Sequence, residues 1–191
     1  MFLDELIQTK LIEYTIANSN FDVNRHYIGL SRISETPKSL VRRFFEGEDT
    51  NSTAKLKFYK GYQMEKDLIV RLQSIFPGRI KTGIEIGSDD RLILGHPDCS
   101  LDDFPVEIKS VLEDKWIPSG EIPNRIYWQI QGYLLYGGKS KGYIIFESRE
   151  NGLIKVFKIA QNFNVQSLIK QKVNTVRALI KARLNNGTSN N

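Results

Sequence analysis

A chain of 191 residues has room for one domain with a proper core, while two full domains would be a squeeze. Hydrophobic residues at 40% and charged residues at 26% are ordinary for a globular protein in water, and a single cysteine, Cys99, excludes a disulfide framework or a Cys-rich zinc or iron–sulfur site. The net charge of +5 is uneven: after Glu150 there are seven Lys and Arg and no acid, so the first 150 residues carry −2. A basic C-terminal segment beside a mildly acidic body suits a polyanion, nucleic acid first and an anionic membrane surface second, and equally suits a solvated helix.

The N-terminus "MFLDELIQTKLIEYTIAN" mixes acids into its apolar residues, unlike a signal peptide. No apolar run approaches the roughly 20 residues that span a bilayer. With the cysteine usage, this predicts a protein of the cytoplasm without a membrane partner. Short helices are expected over Phe2–Ala17 and Pro37–Phe45, with the polar stretch Glu46–Lys55 as a loop. A longer helix is predicted from about Lys55 to Phe76, its apolar stripe including Leu68, Leu72, Ile75 and Phe76, stopped by Pro77 and Gly78.

Three strand-like segments follow, "RIKTGIEI", "RLILGHPD" and "FPVEIKSV", the last two separated by the polar turn "CSLDD". "PNRIYWQIQGYLLYGG" reads as a helix with Pro123 and Asn124 at its start and Gly137 and Gly138 at its stop. Strands "GYIIFES" and "LIKVFKI" are joined by a turn at "RENG". The last helix, Val165–Leu184, places Val165, Leu168, Ile169, Val173, Val176, Leu179, Ile180 and Leu184 on one face and Lys170, Arg177 and Lys181 opposite. "LNNGTSNN" reads as a disordered tail. The order of elements predicts an α/β fold with a mixed sheet in one domain. It comprises an N-terminal helical segment (1–54), a core (55–160), a basic helix (161–184) and the tail (185–191).

The chemistry concentrates in "GHPDCSLDDFPVEIKS". By strand alternation His96 and Asp98 share a parity, and Glu107 and Lys109 share one opposite to Val106 and Ile108. If the turn makes the segments antiparallel neighbours, Asp98 and Glu107 approach each other. Two carboxylates ~4 Å apart repel by about 4 kcal/mol at an effective dielectric near 20. Lys109 or a divalent cation would offset that repulsion, and the imidazole of His96 is a further ligand that suits Mn²⁺ somewhat better than Mg²⁺. On "VEIK" alone, a half-exposed edge strand with alternating charge accounts for the pattern as well.

"HPD" followed by "EIK" resembles the core of the PD-(D/E)XK nuclease superfamily, in which an Asp and then Glu-x-Lys sit on adjacent strands. "GYQME", with Gly61 and Glu65, resembles the G-x-x-x-E signature of the RecB-like branch, which includes λ-type and YqaJ-type exonucleases. His96 stands where many members carry a metal-binding His, and Gln129 and Tyr133 of "QIQGY" match the Q-x-x-x-Y signature. Together these cover about Gly61 to Glu147. The resemblance implies an α-β-β-β-α-β restriction-endonuclease-like core with flanking helices.

It implies also a nuclease in which His96, Asp98, Glu107 and the main-chain carbonyl of Ile108 hold one or two Mg²⁺ or Mn²⁺ ions. Lys109 would position the attacking water. Glu65, which shares a helical face with Leu68 and Leu72, would assist the metal. Gln129 and Tyr133, four apart on one face, would orient Lys109 or hold a phosphate. The iron–sulfur cluster of some relatives needs four Cys and is not expected here. DNA is the expected substrate, with Ser31, Arg42, Arg43 and the basic helix as phosphate contacts, and Tyr127 and Trp128 as either stacking or core residues. Exonuclease action on linear ends, in recombination, repair or viral replication, fits the branch. A restriction- or junction-type endonuclease, or a catalytically silent DNA-binding protein, are the alternatives. A homo-oligomer or a recombination partner protein is in keeping with the relatives.

Overall fold

The computed structural model describes Lys10 and residues 27–47, 52–112 and 121–188. The helix expected over Phe2–Ala17 lies outside the described residues apart from Lys10, which is helical. The elements in order are β1 (Ile28–Gly29), a 3₁₀ turn (Leu30–Arg32), α1 (Pro37–Glu46), α2 (Ser52–Ile75), β2 (Ile80–Lys81) and β3 (Ile86–Gly87). They continue with β4 (Ile93–Gly95), β5 (Cys99–Leu101), β6 (Phe104–Val111), α3 (Asn124–Tyr136), β7 (Lys141–Ser148), β8 (Ile154–Ala160) and α4 (Phe163–Thr188).

The fold is α/β with two mixed sheets. The larger has the order β2-β5-β6-β7-β8, antiparallel except for β6 and β7, which run parallel and are joined through α3. The smaller has the order β1-β4-β3. Alternation along β6 divides the core. Val106 and Ile108 face α2 in a cluster with Leu68, Cys99 and Ile145. On the other face Ile144 and Phe146 of β7 pack with Ile130 and Tyr133 of α3 and with Ile169, Val173, Val176 and Ile180 of α4. Glu107 and Lys109 point to this second face.

Several expectations are corrected. "RIKTGIEI" splits into β2 and β3, which belong to different sheets, with Gly83 (φ 71°) between them. "RLILGHPD" leaves the strand at Gly95, and Cys99–Leu101 of the supposed turn "CSLDD" are β5 itself. The turn contracts to Asp102 and Asp103, with φ of 52° and 66°, the two left-handed positions of a tight hairpin. Asp102 accepts from Arg79 Nε at 2.8 Å and Asp103 from Lys81 Nζ at 2.7 Å, holding the turn to β2 and the residue before it. The apolar face of α4 is also narrower than its sequence suggests, since Leu168, Leu179 and Leu184 are exposed, as is Ile75 on α2. Helix α4 runs to Thr188, into the stretch read as tail.

Close backbone packing positions α3. Leu30, fully buried, sits between two glycines: a Cβ at Gly95 would stand 2.8 Å from Leu30 Cβ and 2.8 Å from Tyr133 Cε1, and one at Gly132 would stand 2.6 Å from Leu30 Cδ2. These approaches are closer than real Cβ atoms allow, so only glycine lets β4, the 3₁₀ turn and α3 meet. Gly95→Ala is therefore expected to destabilise the protein by about 1–3 kcal/mol through overpacking. Urea unfolding with an unchanged m-value checks it, and a midpoint equal to wild type would contradict the packing described.

Candidate active site

The hairpin β5–β6 pairs Cys99 with Val106, which brings Asp98, one residue before β5, beside Glu107 and Ile108. The Ile108 amide donates to Asp98 Oδ2 at 2.5 Å. Asp98 also shares a hydrogen bond with the side chain of Glu65, which reaches in from α2. Glu107 is 1% exposed. Its Oε1 accepts from Lys109 Nζ and, at 2.8 Å, from Gln129 Nε2. The same Gln129 nitrogen donates to Tyr133 Oη at 2.8 Å, and Tyr133 donates to the His96 carbonyl at 3.0 Å. Both amide hydrogens of Gln129 are thus committed. The structure brings Glu65, Asp98, Glu107, Lys109, Gln129 and Tyr133 together in two adjoining hydrogen-bonded groups, Glu65–Asp98–Ile108 amide and Lys109–Glu107–Gln129–Tyr133, coupled through their charges.

His96 is placed differently. Its imidazole is exposed, with Nε2 3.4 Å from Glu85 Oε2, and no hydrogen bond of the network involves it. The strand ends at Gly95 and Pro97 follows, so the alternation that set His96 with Asp98 does not extend this far. The backbone of His96, rather than its ring, joins the network.

Electrostatics explain the pairing. Three carboxylates surround one ammonium, so with all acids ionised the cluster would carry −2. Burial, reinforced by the charge of Glu107, holds the Asp98 carboxyl well above the usual range, with Lys109 only partly offsetting it. Burial likewise raises Glu65. Burial opposes the charge of Lys109, but Glu107 and Asp98 outweigh it, and its pKa goes up. Lys109 is therefore a fixed cation and cannot act as a base near neutrality. Burial and the charge of Glu107 push the Tyr133 phenol well up, so it remains a neutral donor. Cys99 is buried and its thiol is pushed up to about 12, which removes it as a nucleophile.

Among the described residues no three His, Cys, Asp or Glu side chains form a ready metal cage. The acids make their present bonds to Lys109, to one another and to the main chain. Yet Glu107 Oε2 is buried without any hydrogen-bond partner. A buried carboxylate oxygen left bare, in a cluster short of positive charge, fits a hard divalent cation in both donor type and charge.

The remaining expected contacts divide between exposed and occupied side chains. Arg43 Nε pairs with Glu35 at 2.9 Å, while Ser31 and Arg42 are exposed. On α4, Arg177 pairs with Asp90 at 2.7 Å, and Lys170 and Lys181 are exposed. Tyr127 and Trp128 are partly buried against the core. Tyr127 Oη takes a bond from Asn162 Nδ2 at 3.2 Å, and Lys172 Nζ lies 4.2 Å from the Trp128 ring centroid. Sequence reasoning missed the link between Ser110, next to Lys109, and Arg149, which only the parallel pairing of β6 and β7 reveals.

Solved structures share this arrangement of elements. An alkaline exonuclease from Laribacter hongkongensis, LHK-Exo, matches with a TM-score of 0.68 at 15% identity, over 93% of this chain and 96% of its own. Its complex with dAMP matches with 0.66 at 15% identity, over 91% and 94%. A phage-related exonuclease from Haemophilus somnus 129PT gives 0.62 at 11% identity, over 84% and 96%. No protein-family model and no curated protein matches the sequence. The chain has the fold of these exonucleases, as the resemblance to the YqaJ-type branch implied.

The Asp98 environment carries a pH signature. Because the folded chain binds this proton more tightly than the unfolded one, the stabilisation is complete below the usual Asp value of 3.8 and is lost as pH rises through the higher folded value. Glu65 works in the same direction. In EDTA, Asp98→Asn should melt above wild type at neutral pH, with the gap closing on acidification. Thermal melts across pH check this, and a gap independent of pH would contradict it.

Proposed function

We propose that the chain is a divalent-metal-dependent nuclease that hydrolyses phosphodiester bonds in DNA, acting as an exonuclease on linear ends. The bare Oε2 of Glu107, buried beside Asp98, Glu65 and a fixed Lys109 cation, carries the reading. Asp98, Glu107, Glu65 and the Ile108 carbonyl would hold Mg²⁺ or Mn²⁺, as one or two ions, which when bound supplies a polarised phosphate and a more acidic water. The exposed imidazole of His96 has no assigned place among these donors.

The protein's own groups do the rest. Lys109, held protonated, offsets negative charge that develops on the transferring phosphoryl group, and positions the water by donating to it. Its present partner, Glu107 Oε1, is held by Gln129, so the carboxylate keeps its orientation when the ammonium turns to substrate. Tyr133 fixes Gln129 and ties the β4–β5 connection to α3 through the His96 carbonyl. The Ile108 amide orients Asp98. DNA as substrate, and action from ends, are supported by the fold shared with exonucleases.

End-labelled linear DNA and closed circular DNA, each with Mg²⁺, Mn²⁺ or EDTA, test the proposal. Linear molecules should shorten with either ion, circles should persist, and EDTA should abolish turnover. Cutting of circles would replace the exonuclease by an endonuclease of the same chemistry, and binding without cleavage in any ion would refute the enzymatic reading. Asp98→Ala and Lys109→Ala should each lower kcat by at least about a hundredfold with circular dichroism unchanged. Full activity in either would refute the assignment of roles.

A further inference from the structure

Beside the acid cluster, on the face of the sheet that α2 covers, stands an arginine that the reaction outlined above does not use. Arg149 directly follows β7, and its amide donates to the Val111 carbonyl at 2.9 Å. Its guanidinium turns onto Ser110, the neighbour of Lys109, with Nε 3.0 Å and Nη2 2.7 Å from Ser110 Oγ. Among the described residues it forms no ion pair. Other arginines of the sheet and its rim are committed to acids: Arg71 to Glu147 at 2.5 Å, Arg79 to Asp102, Arg91 to Glu85 at 2.9 Å and Arg177 to Asp90. Among the described residues, this partly buried guanidinium has a neutral hydroxyl as its side-chain partner and no counter-charge within ion-pair distance, and it keeps N–H donors to spare.

Helix α2 passes over this pair at Gly61. A Cβ there would lie 3.5 Å from Arg149 Nη2 and 3.6 Å from Ser110 Oγ, ordinary contact, so alanine fits while a larger side chain would cover the guanidinium. One helical turn further on, about 6 Å along the axis, Glu65 reaches Asp98. Lys109 and Ser110 are successive residues of β6 and face opposite sides of the sheet. A nucleic-acid strand crossing the end of β6 would therefore meet Lys109 on one side and Arg149 on the other.

We propose that Arg149, held by Ser110 in the notch under Gly61, binds a non-scissile phosphate of the strand being cut, adjacent to the phosphate at the acid cluster. The assignment rests on the nuclease reading. A guanidinium fork matches two phosphate oxygens in a way that a lone ammonium does not. Arg149 is a binding residue, so its removal should raise KM and leave kcat nearly unchanged.

Steady-state digestion of linear DNA by Arg149→Ala should show KM raised about tenfold and kcat within about twofold, with Arg149→Lys recovering part of the loss. A substrate carrying one neutral methylphosphonate linkage beside the cleaved bond should cost wild type a similar factor and cost Arg149→Ala nothing. Equal penalties in both proteins at every flanking linkage would overturn the proposal. In EDTA, the plot of log binding constant against log salt for duplex DNA should flatten by about 0.9 in the variant, and an unchanged slope would overturn it as well. This binding arm needs no turnover. It therefore judges Arg149 even if wild type cleaves nothing with any ion, a result that would sink the nuclease reading instead. If loss of the Ser110 bond unfolds the alanine variant, Arg149→Gln keeps a donor and removes the charge, and the same readouts apply.

Discussion

Three carboxylates share one ammonium at a half-buried site around the fully buried Glu107, and much of the structure is arranged to make that tolerable. Glu107 is buried, and full ionisation of its neighbours would leave the cluster at −2. The chain relieves the repulsion in three ways: the contact between the Glu65 and Asp98 carboxyls, both of which burial pushes up, the Ile108 amide on Asp98, and the Lys109 and Gln129 donors on one oxygen of Glu107. The other oxygen remains bare. An unsatisfied buried group costs about 1–3 kcal/mol, more when charged, and such costs persist where the surrounding fold over-determines the geometry.

Here the over-determination is visible. The tight turn at Asp102 and Asp103, held by Arg79 and Lys81, fixes the β5–β6 register, and that register alone sets Asp98 beside Glu107. From the opposite side, α3 carries Gln129 and Tyr133 to the cluster. Its position depends on Leu30 lying between Gly95 and Gly132, two points where any side chain would collide. The small sheet thus shapes the acid cluster without contributing a side chain to it. It holds the helix whose amide orients Glu107, and through the His96 carbonyl it is tied to the same network.

What could be read in the sequence follows from how local each cause is. Asp98, Glu107 and Lys109 were legible because a hairpin lies between them and strand alternation is a short-range rule. Glu65, Gln129 and Tyr133 carried no such signal and came through the resemblance of "GYQME" and "QIQGY" to known signatures. Strand alternation does not fix the side of His96, because β4 ends at Gly95 and Pro97 follows, so the rule that pairs it with Asp98 stops one residue short of it. The split of "RIKTGIEI" between two sheets was illegible for a similar reason, since which sheet a two-residue strand joins is decided by partners far along the chain. The contact of Ser110 with Arg149 spans 39 residues. It exists because α3 returns the chain parallel to β6, a pairing that no pattern within either segment announces.

The basic C-terminal helix shows why charge counted along a sequence is a poor map of where a polyanion binds. Lys172 gives its ammonium to the carbonyls of Ile33 and Ser34 at 3.0 and 3.1 Å and covers Trp128, and burial lowers its pKa. Arg177 is held by Asp90, and Arg183 lies over Phe45 with Glu46 at 3.8 Å. These cations dock α4 against the rest of the domain, and a phosphate would have to displace an existing partner to use them. Arg149 is a single charge in a segment with acids on both sides, Glu147 and Glu150. Counting conceals it, whereas its neutral partner distinguishes it. For a buried or half-buried cation, the electrostatic potential left over after internal pairing decides what it can attract, and on α4 that singles out the exposed Lys170 and Lys181 rather than Lys172, Arg177 and Arg183.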